Sequence, residues 1–307
     1  MTARRRRKTK LKPLELLALA LVAAAALLWE QWSAKSAAPV LARPEGQLAV
    51  HVIDVGQGLS VLIDAPEKTV LIDAGENDKG GVVLGYLERA GIDHLDLAIG
   101  THAHSDHIGG LDTVINAIPV GTVFLGDLPD DLVPATKTFT DLLDAIENSG
   151  CAVHSPAAGE TVDLGGGALL TVLGPVMEPD SLNNSSIVTR LDFGEASFLF
   201  MGDAEEESEE AIAKSGAWLE CDILGAGHHG SNTSTHETLL RAAEPKAVFI
   251  SLSSDNSYGF PHKEFVKRAS AYGTIYRTDL SGDIMFTTDG ETIHVAGNGL
   301  EDTIDAR

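Results

Sequence analysis

The chain has 307 residues and a formal net charge of −23, enough length for one large domain or two small ones with a buried core. The charge is divided unevenly: residues 1–39 hold eight basic and two acidic groups, leaving 14 basic against 43 acidic groups in the rest. So acidic a body excludes broad electrostatic binding of nucleic acid, and any such substrate must be held locally, by metal or by a small basic patch.

The chain opens on a basic block, residues 1–12, followed by LELLALALVAAAALLW, in which Leu16 to Trp29 are 14 uncharged and mostly apolar residues. Residues 13–32 read as a transmembrane anchor or signal sequence, with the basic end cytoplasmic and the body outside the cell. Trp29 and Trp32 suit a membrane interface, while Ala34 and Ser36 form a weak cleavage pattern whose use would make the protein secreted. Residues 33–46 read as a linker and 47–307 as the folded domain. Cys151 and Cys221 read as buried thiols whose spacing specifies no pairing.

From residue 48 the pattern becomes regular. LAVHVIDV, LSVLIDA and TVLIDAG are three short β-rich runs separated by turn residues, and GGVVLGYLERAG is a helix closed by Gly91. LDLAIGTHAH is a buried strand, Ile108 to Ile118 a helix, TVFLGD a strand, and ATKTFTDLLDAIENSG a helix ending on Gly150. Strands ALLTVLGP, SIVTRLDFG and ASFLFMGD follow, then a Glu-rich helix over 204–214, the strand CDILGAG and a helix near 234–243. AVFISL, a helix at 262–272, TIYRT and the pair DIMFTTDG and TIHVAG complete the domain. Early strands joined by hairpins argue against a doubly wound sheet. The order predicts an α/β fold of four layers, two packed sheets with helices outside, an αββα sandwich.

The chemistry concentrates in THAHSDHIGG at 101–110. In an extended stretch His102 and His104 share one face, and a turn into the following helix presents Asp106 and His107 from another angle. One loop can thus serve two metal ions, and imidazole with carboxylate suits zinc, manganese or iron. Asp203 ends the hydrophobic strand ASFLFMG, where its carboxylate can bridge two cations or cap the Glu-rich helix. His228 and His229 follow another strand, and as neighbours they point different ways. Asp54 and Asp73 stand at strand ends as turn residues, and His262 follows Pro261 at a helix start. His51, His94, His154, His236 and His294 have no such context, and Glu205, Glu206, Glu207, Glu209 and Glu210 read as a solvated helix face.

HAHSDH matches the His-x-His-x-Asp-His signature, and the chain resembles the metallo-β-lactamase superfamily. HVIDVGQGLSVLI, LIDAG, NNSSIV, FLFMGDAE, HHGS, YGFPH and YRTDLSG, in that order, resemble the C-terminal hydrolase domain of the DNA-uptake protein ComEC and its free-standing relatives, over roughly residues 47–290. The resemblance implies a two-metal hydrolase with Zn2+ or Mn2+, metal ligands His102, His104, Asp106, His107, Asp203 and His228, and catalytic roles for Asp106, His229 and His262. The order of His228 and His229 as ligand and hydrogen-bond donor stays open. Asp54, Asp73, Asn184, Ser185 and Ser231 are implied to support ligands or contact substrate. Many superfamily members carry one more histidine before the Gly-Asp motif; here Asn183-Asn184-Ser185-Ser186 stands at that place. A metal position with fewer protein ligands favours phosphoester hydrolysis over lactam opening. The implied substrate is a phosphodiester (DNA, a nucleotide or a small phosphoester), and the implied partner a DNA-uptake channel. Alternatives are a phosphodiesterase of phosphorylcholine-type envelope groups, a β-lactamase-like acyl hydrolase and a non-catalytic competence subunit. Aromatic residues are 5% of the chain, and Trp218 and Tyr258 are the candidates for holding choline.

Overall fold

The computed structural model describes residues 43–307. The expected anchor, residues 13–32, and most of the expected linker lie outside the described residues, among which no helix is long and apolar enough to cross a membrane.

The first sheet begins as an antiparallel meander of β1 (Leu48–Val52), β2 (Val61–Asp64) and β3 (Thr69–Ile72), then continues in parallel through β4 (Leu95–Gly100), β5 (Val120–Leu125) and β6 (Ala152–His154). The second sheet repeats this plan. β7 (Thr161–Gly165), β8 (Ala168–Gly174), β9 (Val188–Phe193) and β10 (Ala196–Phe200) are antiparallel, and β11 (Ile223–Gly225), β12 (Ala247–Ile250) and β13 (Thr274–Arg277) are parallel. The chain then returns to the first sheet, where β14 (Ile284–Thr288) pairs with β1 and is followed by β15 (Thr292–Gly297) and β16 (Leu300–Asp305).

Period-two alternation divides each strand between two layers. Val50 and Val52 of β1, Phe198 and Phe200 of β10 and Phe249 of β12 point into one core between the sheets. Phe286 of β14 lies near its centre, with the rings of Phe198, Phe249 and Tyr276 at 6.0, 6.1 and 6.0 Å. Leu199, Leu224, Val248 and Ile250 point the other way, into a second core with Ile212, Leu239, Leu240 and Phe265. Those last four come from α5 (Glu206–Lys214), α6 (Glu237–Ala243) and α7 (Lys263–Ala269). On the first sheet the outer helices are α1 (Gly80–Ala90), α3 (Leu111–Ala117) and α4 (Lys137–Ser149), which bury Val83, Leu87, Leu111, Val114 and Leu142. The four-layer sandwich expected from the element order is present.

Gly91 and Gly150 end their helices in the left-handed conformation, at φ 76° and 70°, as glycine permits. The helix expected over 108–118 is instead two pieces, α2 (Ser105–Ile108) and α3. Gly109 and Gly110 stand between them, where only glycine fits: a Cβ at Gly109 would collide with Asn77 N and one at Gly110 with Ala74 O. Strands β6, β7 and β16 add to those expected from the sequence. β6 is exposed throughout and β16 largely so, and polar edge strands lack the alternation that marks a strand in sequence. Cys221 is buried and its thiol pushed up to about 12 by burial, whereas Cys151 is only half-buried; both are free.

His51 is buried beneath α1, with Nδ1 3.0 Å from the Tyr86 hydroxyl. Burial, aided by Arg43, lowers its pKa to about 4. The neutral ring is the folded form, so its contribution is complete above the ordinary value of 6.5 and is lost as pH falls from 6.5 toward 4. Denaturant titrations with chelator present should show stability falling by up to about 3 kcal/mol across that window. His51→Gln should flatten that part of the curve.

Candidate metal centre

The strand β4 runs out at Gly100, and the next residues gather on one sheet edge with the ends of β10 and β11. His102 Nε2 and His104 Nδ1 converge to 2.8 Å, and His107 Nε2 and His229 Nε2 to 3.2 Å. Asp203 lies between these pairs. Its Oδ1 is 3.1 Å from His107 Nε2 and 3.7 Å from His229 Nε2, while its Oδ2 is 3.7 Å from His102 Nε2. Asp106 Oδ2 is 3.3 Å from His229 Nε2. The donors form two groups, His102, His104 and Asp203 in one, and Asp106, His107 and His229 in the other.

The tautomers these rings require are set from behind. His107 Nδ1 donates to Asp73 Oδ2 at 2.7 Å, and His229 Nδ1 to the Ser251 carbonyl at 2.9 Å. Each Nε2 is thereby left to face the centre. His102 Nδ1 meets the hydroxyls of Thr101 and Ser186 at 3.2 and 3.4 Å. Asp73 also accepts from Thr101 N at 2.8 Å and Thr101 Oγ1 at 2.7 Å, from a backbone at φ 58°.

These residues fit two cations. Asp203 Oδ1 is buried and accepts no hydrogen bond, although imidazole nitrogens crowd it. Burial opposes charge on His107, but Asp203 and Asp73 outweigh it and raise the pKa well above the ordinary value. Burial likewise opposes the Asp203 carboxylate, which the adjacent His107 and His229 nonetheless hold well below the usual range. His102 moves the opposite way, lowered by burial and by His107. A centre in which two buried imidazoles, His107 and His229, favour positive charge while His102 and His104 favour the neutral form can take metal ions in place of protons.

The sequence leaves open which of His228 and His229 joins the donor groups; in the structure it is His229. Both have left-handed backbones, φ 48° and 53°, and their rings stand 73° apart. His229 turns inward to Asp106 and His107, whereas His228 stays on the cavity wall with Nε2 3.8 Å from Asp203 Oδ2. Its Nδ1 faces Thr233 Oγ1 at 3.2 Å and Glu205 Oε1 at 3.4 Å.

Other expected residues fall outside the donor groups. Asp54 Oδ1 accepts from Gly56 N at 3.0 Å, the short reach of a turn residue. Asn184 Oδ1 accepts from Glu205 N at 3.0 Å, and its Nδ2 donates to Asp180. Neighbouring Asn183 turns to His228 instead, with Nδ2 3.5 Å from its Nδ1. Ser185 Oγ donates to the Leu182 carbonyl, and Ser231 Oγ meets Thr233 Oγ1. His262 Nδ1 accepts from Asn232 N at 3.0 Å and begins α7, and its ring is not a wall of the cavity. Glu209, expected on a solvated face, is buried and accepts from Thr235 N and His236 N. Trp218 lies over the Arg190 guanidinium, away from this cavity.

The cavity over the centre measures about 260 Å³, and its walls include Gln57, Asp106, His228, Tyr258 and Phe260. Gln57 lies within HVIDVGQGLSVLI, but no ligand-type side chain marks it in the sequence. It sits between Gly56 and Gly58, both at positive φ, and both atoms of its amide are buried without partners. Ser251 carried no signal in sequence, yet it anchors His229 and donates to the Gly58 carbonyl at 2.7 Å. Gly58 has φ 127°, and a Cβ there would strike the Asp106 carbonyl. Gly58→Ala should therefore displace the metal loop and cost about 1–3 kcal/mol in strain alone. Thermal unfolding with and without zinc checks this, because the variant should also lose most of the zinc-induced stabilisation.

Residues 53–254 match the Metallo-beta-lactamase superfamily. The chain belongs to this superfamily. Within it, the chain is 29% identical over 256 residues to ComE operon protein 3 of Bacillus subtilis (strain 168), covering 77% of this chain and 32% of the relative. It is 31% identical over 246 residues to Competence protein ComA of Neisseria gonorrhoeae, covering 79% and 33%. The chain thus spans about a third of the length of these superfamily relatives. Among solved structures, the metallo-beta-lactamase fold protein YhfI of Bacillus subtilis aligns with TM-score 0.51 and 13% identity, over 79% of this chain and all of that one, a likeness of fold.

Proposed function

We propose that the protein is a two-metal phosphodiesterase acting on DNA or nucleotides, held at the cell membrane by its N-terminal segment with the catalytic domain outside. The observation that carries this reading is the position of Asp203, with one carboxylate oxygen toward each donor group. Zn2+ is the first choice for the metal and Mn2+ the second, from the imidazole-carboxylate donor set.

Bound divalent cations supply Lewis-acid activation of water and neutralise charge on phosphoryl oxygens. The chain's own groups do the rest. His102, His104, Asp106, His107, Asp203 and His229 would hold the cations. Asp73 and the Ser251 carbonyl keep His107 and His229 in the tautomers that face inward. His228, on the wall, offers its Nε2 to a non-bridging oxygen of the substrate. Each group has three protein donors among the described residues, and a bound cation with so few would be accessible to substrate oxygens. Similarity to a competence protein supports nucleic acid as the substrate class and a DNA-uptake channel as the partner. The acidic body favours short or single-stranded substrates over a grip on long duplex DNA.

An activity panel on the metal-loaded chain tests this reading. Single-stranded DNA, duplex DNA, cyclic dinucleotides, a phosphorylcholine ester and a chromogenic cephalosporin are offered with metal and with chelator. The expected result is metal-dependent hydrolysis of one or more nucleic-acid phosphodiesters and none of the cephalosporin. Hydrolysis of the cephalosporin or the phosphorylcholine ester alone would overturn it.

A further inference from the structure

The cavity over the metal centre has one wall that the hydrolytic chemistry does not use. Tyr258 stands there 63% exposed, a large ring left in solvent beside the site. It is stacked on Phe260 with centroids 5.3 Å apart and planes 14° from parallel. Phe260 in turn packs edgewise on His228 at 5.5 Å and against His229 at 6.4 Å. An aromatic ladder therefore runs from the metal-binding histidine outward to an exposed face.

The loop that presents Tyr258 is held in shape. Asn256 Nδ2 donates to the carbonyls of Ser253 and Phe260 at 2.6 and 2.9 Å, and Asn256 Oδ1 accepts from Phe260 N at 2.9 Å. These bonds close a small ring of chain with Tyr258 within it. Gly259, at φ 78°, supplies the turn between the two aromatic residues. Pro261 packs against Gly230, tying the loop to the turn that carries His228 and His229. The ring is thus fixed relative to the metal centre before any ligand arrives, which reduces the ordering cost of binding.

We propose that Tyr258 is the floor of a nucleobase subsite, on which the base next to the scissile phosphate stacks while that phosphate lies at the metal centre. This rests on the phosphodiesterase reading above and narrows its substrate to nucleotides and single strands. Two parallel rings present one flat face, which suits a planar ligand; a quaternary ammonium group is held by several rings set at angles around it. Stacking is indifferent to sequence because every base has a π-face. The subsite accordingly accepts unpaired bases and excludes those buried in a duplex. Gln57 lines the same cavity, and its amide lies buried beneath that surface without a partner.

The test compares metal-loaded wild-type protein with Tyr258→Ala, Tyr258→Phe and, as a remote exposed aromatic, Trp218→Ala. Each hydrolyses a short single-stranded oligothymidylate, a matched oligomer with abasic residues and a cyclic dinucleotide, with kcat and KM measured separately. Wild-type kcat/KM should favour the base-bearing oligomer over the abasic one about tenfold. Tyr258→Ala should bring that ratio near one, chiefly through KM, while Tyr258→Phe and Trp218→Ala retain it. A parallel rise in KM for the cyclic dinucleotide would place free nucleotides in the same subsite, and a change for it alone would confine the subsite to them. An unchanged preference in Tyr258→Ala for every substrate would overturn the proposal, as would equal losses on base-bearing and abasic oligomers. Should the wild type hydrolyse no phosphodiester, the activity reading fails by itself. Fluorescence anisotropy of the labelled oligomers on the metal-loaded protein then decides the subsite: binding that needs both the base and Tyr258 upholds it, and indifference to either overturns it.

Discussion

Asp203→Ala is expected to empty both metal positions together and to abolish metal-dependent hydrolysis. Among the described residues, Asp203 is the one whose two oxygens face both donor groups, Oδ1 toward His107 and His229 and Oδ2 toward His102. Its removal would take a donor from each group and the negative charge between them. Removing a residue that merely supports a ligand costs about 10–100-fold in metal affinity or activity. The loss at Asp203 should exceed that range, with metal content measured on the same dialysed samples. His228→Ala provides the contrast. Its ring stands on the wall outside both groups, so metal content should hold while kcat falls. Equal metal loss in the two variants would contradict the assignment of His228 and His229.

The second large effect is expected at Asp73, which never faces the metals. Its carboxylate is buried and accepts from Thr101 N, Thr101 Oγ1 and His107 Nδ1. Asp73→Ala leaves three buried donors without an acceptor, and breaking a buried charged network in this way costs about 3–5 kcal/mol. An alanine at φ 58° adds strain. Asp73→Asn is the more informative variant, because asparagine tolerates that backbone. It removes the charge, and its amide turns a donor toward donors. Zinc titration should show affinity down about 10–100-fold with the fold retained. Affinity equal to that of the wild type would show that His107 is oriented by other means.

Much of this arrangement could be read from the residues. Four donor residues at a strand-to-helix junction mark the metal loop, and Asp203 at the end of ASFLFMG stands between the two donor groups. The element order gave the sandwich because buried strands alternate and helices end on Gly91 and Gly150. What escaped depends on backbone conformation and on contacts distant in sequence. The order of His228 and His229 is decided by two left-handed residues, which the letters HH do not reveal. Glu209 looked solvated in a run of glutamates, yet it caps the loop at Thr235 and His236 from 26 and 27 residues away. Asp54 and Asp73 have the same setting in sequence, but only Asp73 meets a ligand, because Asp73 N pairs with Ile99 beside β4 and the metal loop. Ser251 acts through its carbonyl, which no side-chain motif can show.

The central claim is a pair of cations joined by Asp203. Anomalous X-ray diffraction at the zinc edge, on crystals of the zinc-loaded protein, tests it most directly. Two peaks are expected flanking the Asp203 carboxylate, one near His102 and His104 and the other near Asp106, His107 and His229. A single peak, or two peaks with Asp203 bound to neither, would contradict it.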